Sequence, residues 1–178
     1  SVARPDLLVL GALLHDIGKG YPGDHTEVGM ELVQSITERM GYENNDVELL
    51  VGMVEHHLLL PDVATRRDLD DDGTIKSVAR AVKNLSLLSL LDALTEADSI
   101  STGSSAWSAW KAGLVRELVA RVRHVLAGGD VDDVVEVTFP NQKQIDEMLS
   151  GKEVFSGNQF ELTVITNCLL YTSPSPRD

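Results

Sequence analysis

Imidazole and carboxylate side chains occur at a few positions of this chain where they could together bind a divalent metal ion. The set consists of His15, Asp16, His25, His56, His57 and Asp98. Imidazole nitrogens combined with carboxylate oxygens suit ions such as Mn, Fe, Mg or Zn. The sequence therefore predicts a metal site that gathers distant parts of the chain.

A lysine lies close to the first histidine–aspartate pair. Asp16 is followed by Ile17, Gly18 and Lys19. A lysine ammonium beside a metal suits a phosphorylated substrate, because it offers the phosphate a compact positive charge. We therefore predict that Asp16 and Lys19 are catalytic residues and that the substrate carries phosphate.

Structural alternatives exist for the first part of this set. Asp16 could form an ion pair with Lys19 at the end of a helix, with His15 as a packed ring. His25 could be an exposed loop histidine. The apolar segment before His15 favours the metal interpretation, because a charged pair is costly to bury unless it is paired or metal-bound.

Alternatives also exist for the later residues. His56 and His57 are neighbours, so on a helix their side chains diverge by roughly 100°. One of them could be a core ring and the other a surface ring. Asp98 falls on an apolar helix stripe, where a carboxylate needs a partner, which could be a nearby loop. His124 lies between basic residues, and we interpret it as a surface residue.

The elements that must position these residues are mainly helical. Apolar periodicity and capping signals predict helices over 6–15, from a cap at Asp24 to about 40, and over 46–57, 74–82, 85–100 and about 105–127. The segment 66–73 is expected to be a loop. After Gly128 and Gly129 the period changes, which predicts strands over 134–139 and 160–166 and a short helix over 142–149.

Two finer expectations concern burial. The first helix is apolar on nearly every face, which predicts that it is buried all round. Trp107 and Trp110 lie on the apolar stripe of the last long helix, and we expect both in the core. Without interleaved basic residues, they are not typical of a stacking platform for nucleic acid.

Composition limits the function. The formal net charge is −13, which argues against a broad electrostatic grip on nucleic acid. No apolar run reaches membrane-spanning length, and the single Cys168 excludes an internal disulfide. The first residue is Ser1, which we interpret as a cut inside a longer protein. Residues 168–178 resemble the in-frame translation of a sequencing adapter, and we expect them to be an artefact outside the fold.

Taken together, the motifs resemble the HD superfamily of metal-dependent phosphohydrolases. The family's doublet matches His15–Asp16 with the continuation to Lys19, and its later elements match His25 to Gly29, the histidine pair and Asp98. The resemblance implies an HD-domain helical bundle with one or two Mn, Mg or Fe ions, bridged by the doublet aspartate when there are two. The family's first histidine has no counterpart before His15, which leaves the predicted site one ligand short.

Within that superfamily, the stretches 22–25, 66–70, 94–99 and 106–111 are most similar to the central domain of bifunctional PII uridylyltransferases/uridylyl-removing enzymes. This resemblance implies a cytoplasmic hydrolase that removes UMP, or alternatively AMP, from a PII nitrogen-signalling protein. It also implies an HD domain over 1–128 and, over 129–167, a linker and the start of an α+β, ACT-like domain with glutamine as effector. No nucleic-acid or membrane partner is expected.

The same residues are also compatible with two rival functions. An HD hydrolase that acts on free cyclic or polyphosphorylated nucleotides would use the same metal site. A non-catalytic helical regulatory module would have lost the metal. Activity on small nucleotides would identify the first rival, and metal content would identify the second.

Overall fold

The computed structural model describes residues 2–103 and 107–131 and the backbone of two strands at 154–158 and 161–165. The chain divides into two compact units, Ser1–Val135 and Glu136–Asp178. In the first unit the described elements are all helices. They are α1 (Pro5–Leu14), α2 (His25–Arg39), α3 (Asn44–His56), α4 (Leu59–Arg66), α5 (Asp72–Val82), α6 (Leu85–Thr102) and α7 (Ala109–Leu126). The mainly helical prediction is confirmed.

Helix α6 contacts most of the other helices of this unit. It packs against α1, α3, α4, α5 and α7, while α2 packs on α3. Its leucines at 88, 90, 91 and 94 are almost completely buried. Burying a leucine side chain contributes roughly 1.5–3 kcal/mol, so these residues anchor the helix in the core. The last turns of α6 are thereby fixed next to the end of α1.

The prediction for the first helix was wrong in one respect. Only one face of α1 is buried, formed by Leu7, Gly11 and Leu14, whereas Val9 is 71% exposed and Leu13 76% exposed. The sequence did not predict this one-sided burial, because α1 is apolar on all sides while neighbouring helices cover only the face turned towards α3 and α6. Gly11 allows the close approach to α3, because a Cβ there would collide with the side chain of Met53.

The predicted start and end of α2 are confirmed. Asp24 caps the helix, its carboxylate accepting hydrogen bonds from the N–H groups of Thr26 at 2.8 Å and Glu27 at 3.2 Å. Gly41, at φ +83°, ends the helix in a left-handed conformation that favours glycine. This cap also fixes the position of His25, the first residue of the helix.

Three further features differ from prediction. Helix α4 was not predicted. Pro61 lies beyond the end of α3, as a helix-ending signal should, but it falls in the first turn of the next helix, where proline is tolerated. The loop predicted over 66–73 is shorter in the structure, because α4 ends at Arg66 and α5 begins at Asp72. Trp107 packs partly against the core, but Trp110 is 65% exposed, because it lies in the first turn of α7, before the buried stripe that begins at Val115.

In the second unit the structure describes an antiparallel pair, β1 (Val154–Asn158) and β2 (Glu161–Ile165), with Val154 opposite Ile165. The strand predicted over 160–166 is confirmed at β2, and β1 was not predicted. The strand predicted over 134–139 and the helix over 142–149 lie outside the described residues. The ACT-like assignment stays a prediction, as do the domain bounds. None of the described helices combines the length and the apolar composition that a membrane span needs.

Candidate metal centre

Helix ends bring most of the predicted residues together. His15 follows directly after α1, Asp16 comes next, and His57 follows directly after α3. His25 begins α2, and Asp98 lies in the last turns of α6. These are the helices whose packing was described above, so the core fixes the relative positions of the five side chains.

Asp16 lies at the centre of this group. Its Oδ2 is 2.6 Å from Lys19 Nζ and 3.3 Å from His15 Nε2, and its Oδ1 is 3.7 Å from His57 Nε2. Asp98 Oδ1 is 3.7 Å from His15 Nε2. The rings of His15 and His57 are 5.5 Å apart between centroids. Two imidazoles and two carboxylates therefore face one another.

His25 lies at the edge of the same group. Its ring centroid is 6.2 Å from that of His57. Its position depends on Gly18, because a Cβ on Gly18 would collide with the carbonyl of His25 and approach the N–H of Gly29. The absence of a side chain at Gly18 therefore lets the loop after α1 lie directly on the first turn of α2.

Backbone carbonyls orient two of the rings. His15 Nδ1 lies 2.9 Å from the carbonyl oxygen of Ala12, and His57 Nδ1 lies 2.7 Å from that of Val54. A carbonyl can only accept, so each ring donates its Nδ1–H. In the neutral ring, Nε2 then carries a lone pair that faces the carboxylates. Sequence reasoning missed these two carbonyls, because a backbone acceptor has no residue signature.

The pKa of Asp16 reflects two opposing influences. Partial burial alone would raise it, but the hydrogen bond from Lys19 and the electrostatic influence of His15, Lys19 and His57 together hold it below its usual value. Asp16 is therefore ionised at neutral pH. Its Oδ1 is nevertheless buried without a hydrogen-bond partner.

These contacts fit the donor set of a metal better than a set of hydrogen bonds. Metal–ligand bonds of about 2.0–2.2 Å place two ligand atoms of one ion about 3.0–3.5 Å apart. Three of the nitrogen–oxygen contacts, at 3.3–3.7 Å, are close to that spacing and longer than ordinary hydrogen bonds. A cation placed between these imidazole nitrogens and the ionised carboxylate would interact favourably with both kinds of donor.

These side chains do not form a complete metal-binding site in their present positions, however. Among the described residues, no three or more His, Cys, Asp or Glu side chains are arranged so that they could hold a metal ion as they stand. Lys19 already binds Asp16 Oδ2, and the contacts above join pairs of residues rather than one common centre. The side chains would have to rearrange locally to bind an ion.

His56 is placed elsewhere. Its Nε2 is 3.6 Å from Glu55 Oε2, and it lines a groove of about 460 Å³ together with Glu48, Asn84 and residues of α2. The divergence expected of neighbouring helical side chains thus separates the pair, with His57 turned into the group around Asp16. His124 is partly buried and lines a different groove beside Asp92 and Arg123.

Comparison with known proteins relates this chain to one family of domains. The HD domain family model matches residues 2–102, which include every predicted site residue. The chain is 54% identical to a bifunctional uridylyltransferase/uridylyl-removing enzyme of Streptomyces coelicolor over 71% of this chain and 15% of the relative. The enzyme of the same name from Mycobacterium tuberculosis is 56% identical over 79% of this chain and 17% of the relative. The one from Gluconobacter oxydans is 43% identical over 68% of this chain and 13% of the relative.

The chain therefore spans about a sixth of the length of the curated relatives it matches. No solved structure matches it.

Proposed function

Because this chain belongs to the HD-domain family, whose members are metal-dependent hydrolases, we propose that it hydrolyses a phosphodiester at the group around Asp16. The ligands are His15, Asp16, His25, His57 and Asp98. The observation that carries this proposal is the buried Asp16 Oδ1, which has no hydrogen-bond partner while His57 Nε2 faces it at 3.7 Å. A bound divalent ion would lower the pKa of a water molecule and polarise the phosphoryl oxygen.

The protein's own residues have distinct roles in this proposal. Asp16 supplies a carboxylate that is already ionised at neutral pH, as its lowered pKa requires. The carbonyls of Ala12 and Val54 hold two imidazoles with Nε2 towards it. Lys19, whose side chain is 63% exposed, can leave Asp16 and bind a phosphate oxygen as a compact cation.

We propose that the substrate is a nucleotidylated protein, because the similar curated proteins are named uridylyl-removing enzymes. Water would add to the phosphorus, the bond from phosphorus to the oxygen of the modified protein side chain would break, and that oxygen would take up the proton. The products would be UMP and an unmodified PII signal protein, in the cytoplasm. Mn, Mg or Fe suits the imidazole and carboxylate donors. The glutamine effector stays a prediction from the family resemblance.

The first experiment measures metal content and hydrolysis in the same preparations. Purified chain is loaded with Mn²⁺, and bound metal is determined by elemental analysis. UMP release is then measured with uridylylated PII, and hydrolysis is measured separately with free cyclic nucleotides. We expect Asp16→Asn to lose both bound Mn²⁺ and UMP release. Asp46→Asn is the matched control, because Asp46 pairs with Arg4 on another part of the surface.

A second matched pair tests the assignment of the adjacent histidines. His57→Ala should lose bound Mn²⁺, whereas His56→Ala should retain it, because only His57 faces Asp16. If Asp16→Asn still bound Mn²⁺, the assignment of the metal site to the group around Asp16 would be wrong. Hydrolysis of free nucleotides without any UMP release from PII would overturn the substrate, and a wild-type chain that binds no Mn²⁺ would favour the non-catalytic module.

A further inference from the structure

A buried threonine beside the site has an unsatisfied hydroxyl. Among the described residues, only two buried side-chain polar atoms have no hydrogen-bond partner, namely Asp16 Oδ1 and Thr95 Oγ1. Thr95 is 3% exposed. A buried hydroxyl without a partner costs roughly 1–3 kcal/mol, so its persistence needs an explanation.

Other helical hydroxyls in the chain behave differently. Thr37 Oγ1 donates to the Val33 carbonyl at 2.8 Å, and the hydroxyls of Thr65, Ser89 and Thr102 likewise donate to the carbonyl four residues earlier. This bond is the ordinary local solution for a hydroxyl on a helix. Thr95 does not make it, although it lies within α6.

The position of Thr95 relates it to the metal centre. It precedes Asp98 by three residues on α6, so the two side chains lie on the same face of the helix, one turn apart. Helical side chains lean towards the N-terminus, and that tilt carries Asp98 over the turn that contains Thr95. Asp98 in turn lies 3.7 Å from His15 Nε2.

We propose that Thr95 is a positioning residue of the metal centre, and that its hydroxyl donates a hydrogen bond to the Asp98 carboxylate when Asp98 binds the ion. Carboxylates that bind a metal are themselves usually hydrogen-bonded, and loss of such a partner weakens metal affinity about 10- to 100-fold. The inference rests on the proposed function, since it requires Asp98 to be a ligand. It explains why the Thr95 hydroxyl does not donate a hydrogen bond to a backbone carbonyl of its own helix.

The test compares Mn²⁺ affinity, measured by titration calorimetry, in Thr95→Val, Thr95→Ser and wild type. Thr95→Val keeps the side-chain shape and removes the hydroxyl, and we expect about tenfold weaker binding. Thr95→Ser restores the hydroxyl and should bind within about twofold of wild type. In an Asp98→Asn background, Thr95→Val should have little further effect, because residues that act together are not additive.

Thermal unfolding of the metal-free proteins separates this role from a purely structural one. Thr37→Val is the matched control, because Thr37 is also buried and its hydroxyl donates a hydrogen bond to the Val33 carbonyl. We expect Thr37→Val to lower the Tm and leave Mn²⁺ affinity unchanged. Thr95→Val should not lower the Tm, since its hydroxyl has no bond to lose in the metal-free state.

Three results would overturn the inference. They are wild-type Mn²⁺ affinity in Thr95→Val, a Thr95→Ser variant that binds as weakly as the valine variant, and a metal-free Tm for Thr95→Val as low as that of Thr37→Val. Each leaves the proposed function standing. Failure of the wild-type chain to bind Mn²⁺ is a different outcome, since it would overturn the proposed function together with the inference.

Discussion

Asp16 combines partial burial with an ionised carboxylate, and its neighbours explain how. Lys19 and the two imidazoles outweigh the cost of burial and lower its pKa. Because the folded value lies below the unfolded value, this residue stabilises the fold at pH values above about 3.9, the ordinary aspartate pKa. That contribution is lost as the pH falls through the folded pKa. The same neighbours keep the carboxylate available for a cation at neutral pH.

Lys19 competes with any metal for Asp16. Its ammonium is 2.6 Å from Oδ2, and a positive charge at this place repels an incoming cation. We predict that Lys19→Met binds Mn²⁺ about three- to tenfold more tightly, since a surface charge at short range contributes on the order of 1 kcal/mol. Hydrolysis of uridylylated PII should nevertheless fall about tenfold or more, because the phosphate loses its cationic partner.

Titration calorimetry and a UMP-release assay measure the two effects separately. Lys76→Met is the control, since Lys76 also pairs with an aspartate, Asp72, at 3.4 Å. It should change neither quantity. Weaker Mn²⁺ binding by Lys19→Met, or full hydrolysis, would show that Lys19 does not have the role assigned to it.

At the scale of elements, the sequence predicted the helices whose signals are local. The Asp24 cap and the Gly41 termination of α2 depend on a few adjacent residues, and both are confirmed. Helix α4 was missed because Pro61 is a helix-breaking signal in most positions but not in a first turn. The exposed Leu13 and Trp110 were missed because their burial depends on neighbouring helices rather than on apolar periodicity.

The candidate site shows the same limit. Residue types alone indicated the histidines and carboxylates, and five of them are brought together at helix ends. The sequence could not say which member of the His56–His57 pair faces Asp16, because that depends on how α3 packs against α1. It also gave no signal for the Ala12 and Val54 carbonyls or for the orphaned Thr95 hydroxyl.

Gly18 connects the packing of elements to the site. A methyl group there would collide with the first turn of α2, so the loop that carries Asp16 would have to move. We predict that Gly18→Ala lowers the free energy of unfolding by about 1–3 kcal/mol and weakens Mn²⁺ binding. Chemical denaturation and calorimetry measure the two quantities.

Gly113 provides the opposite case. It lies within α7, and a Cβ there would meet no atom of the described residues within 4 Å beyond its chain neighbours and the backbone of its own helix. Gly113→Ala should therefore raise the free energy of unfolding by about 0.5–1 kcal/mol, the usual gain of alanine over glycine in a helix. It should leave Mn²⁺ affinity unchanged. If Gly18→Ala raised the free energy of unfolding as Gly113→Ala does, the close approach between Gly18 and His25 would be contradicted.

At the scale of the whole molecule, the chain is strongly acidic, with a net charge of −13. Repulsion between the negative charges opposes the compact state, and the same negative charge attracts cations. The candidate ligands lie on the helices α2 and α6 or within two residues of the ends of α1 and α3. An ion bound to all of them would link these helices to one another. Binding should therefore stabilise the first unit as well as prepare the site.

We accordingly predict that Mn²⁺ at about 100 times its Kd raises the free energy of unfolding by about 2.7 kcal/mol, because it binds the folded state alone. The measurement is thermal unfolding with Mn²⁺ and with EDTA. Asp16→Asn should show no difference between the two conditions, while Asp46→Asn should respond like wild type. An equal response in Asp16→Asn would mean that the ion binds elsewhere on the acidic surface, so stabilisation of the wild type alone would not be enough to locate the site.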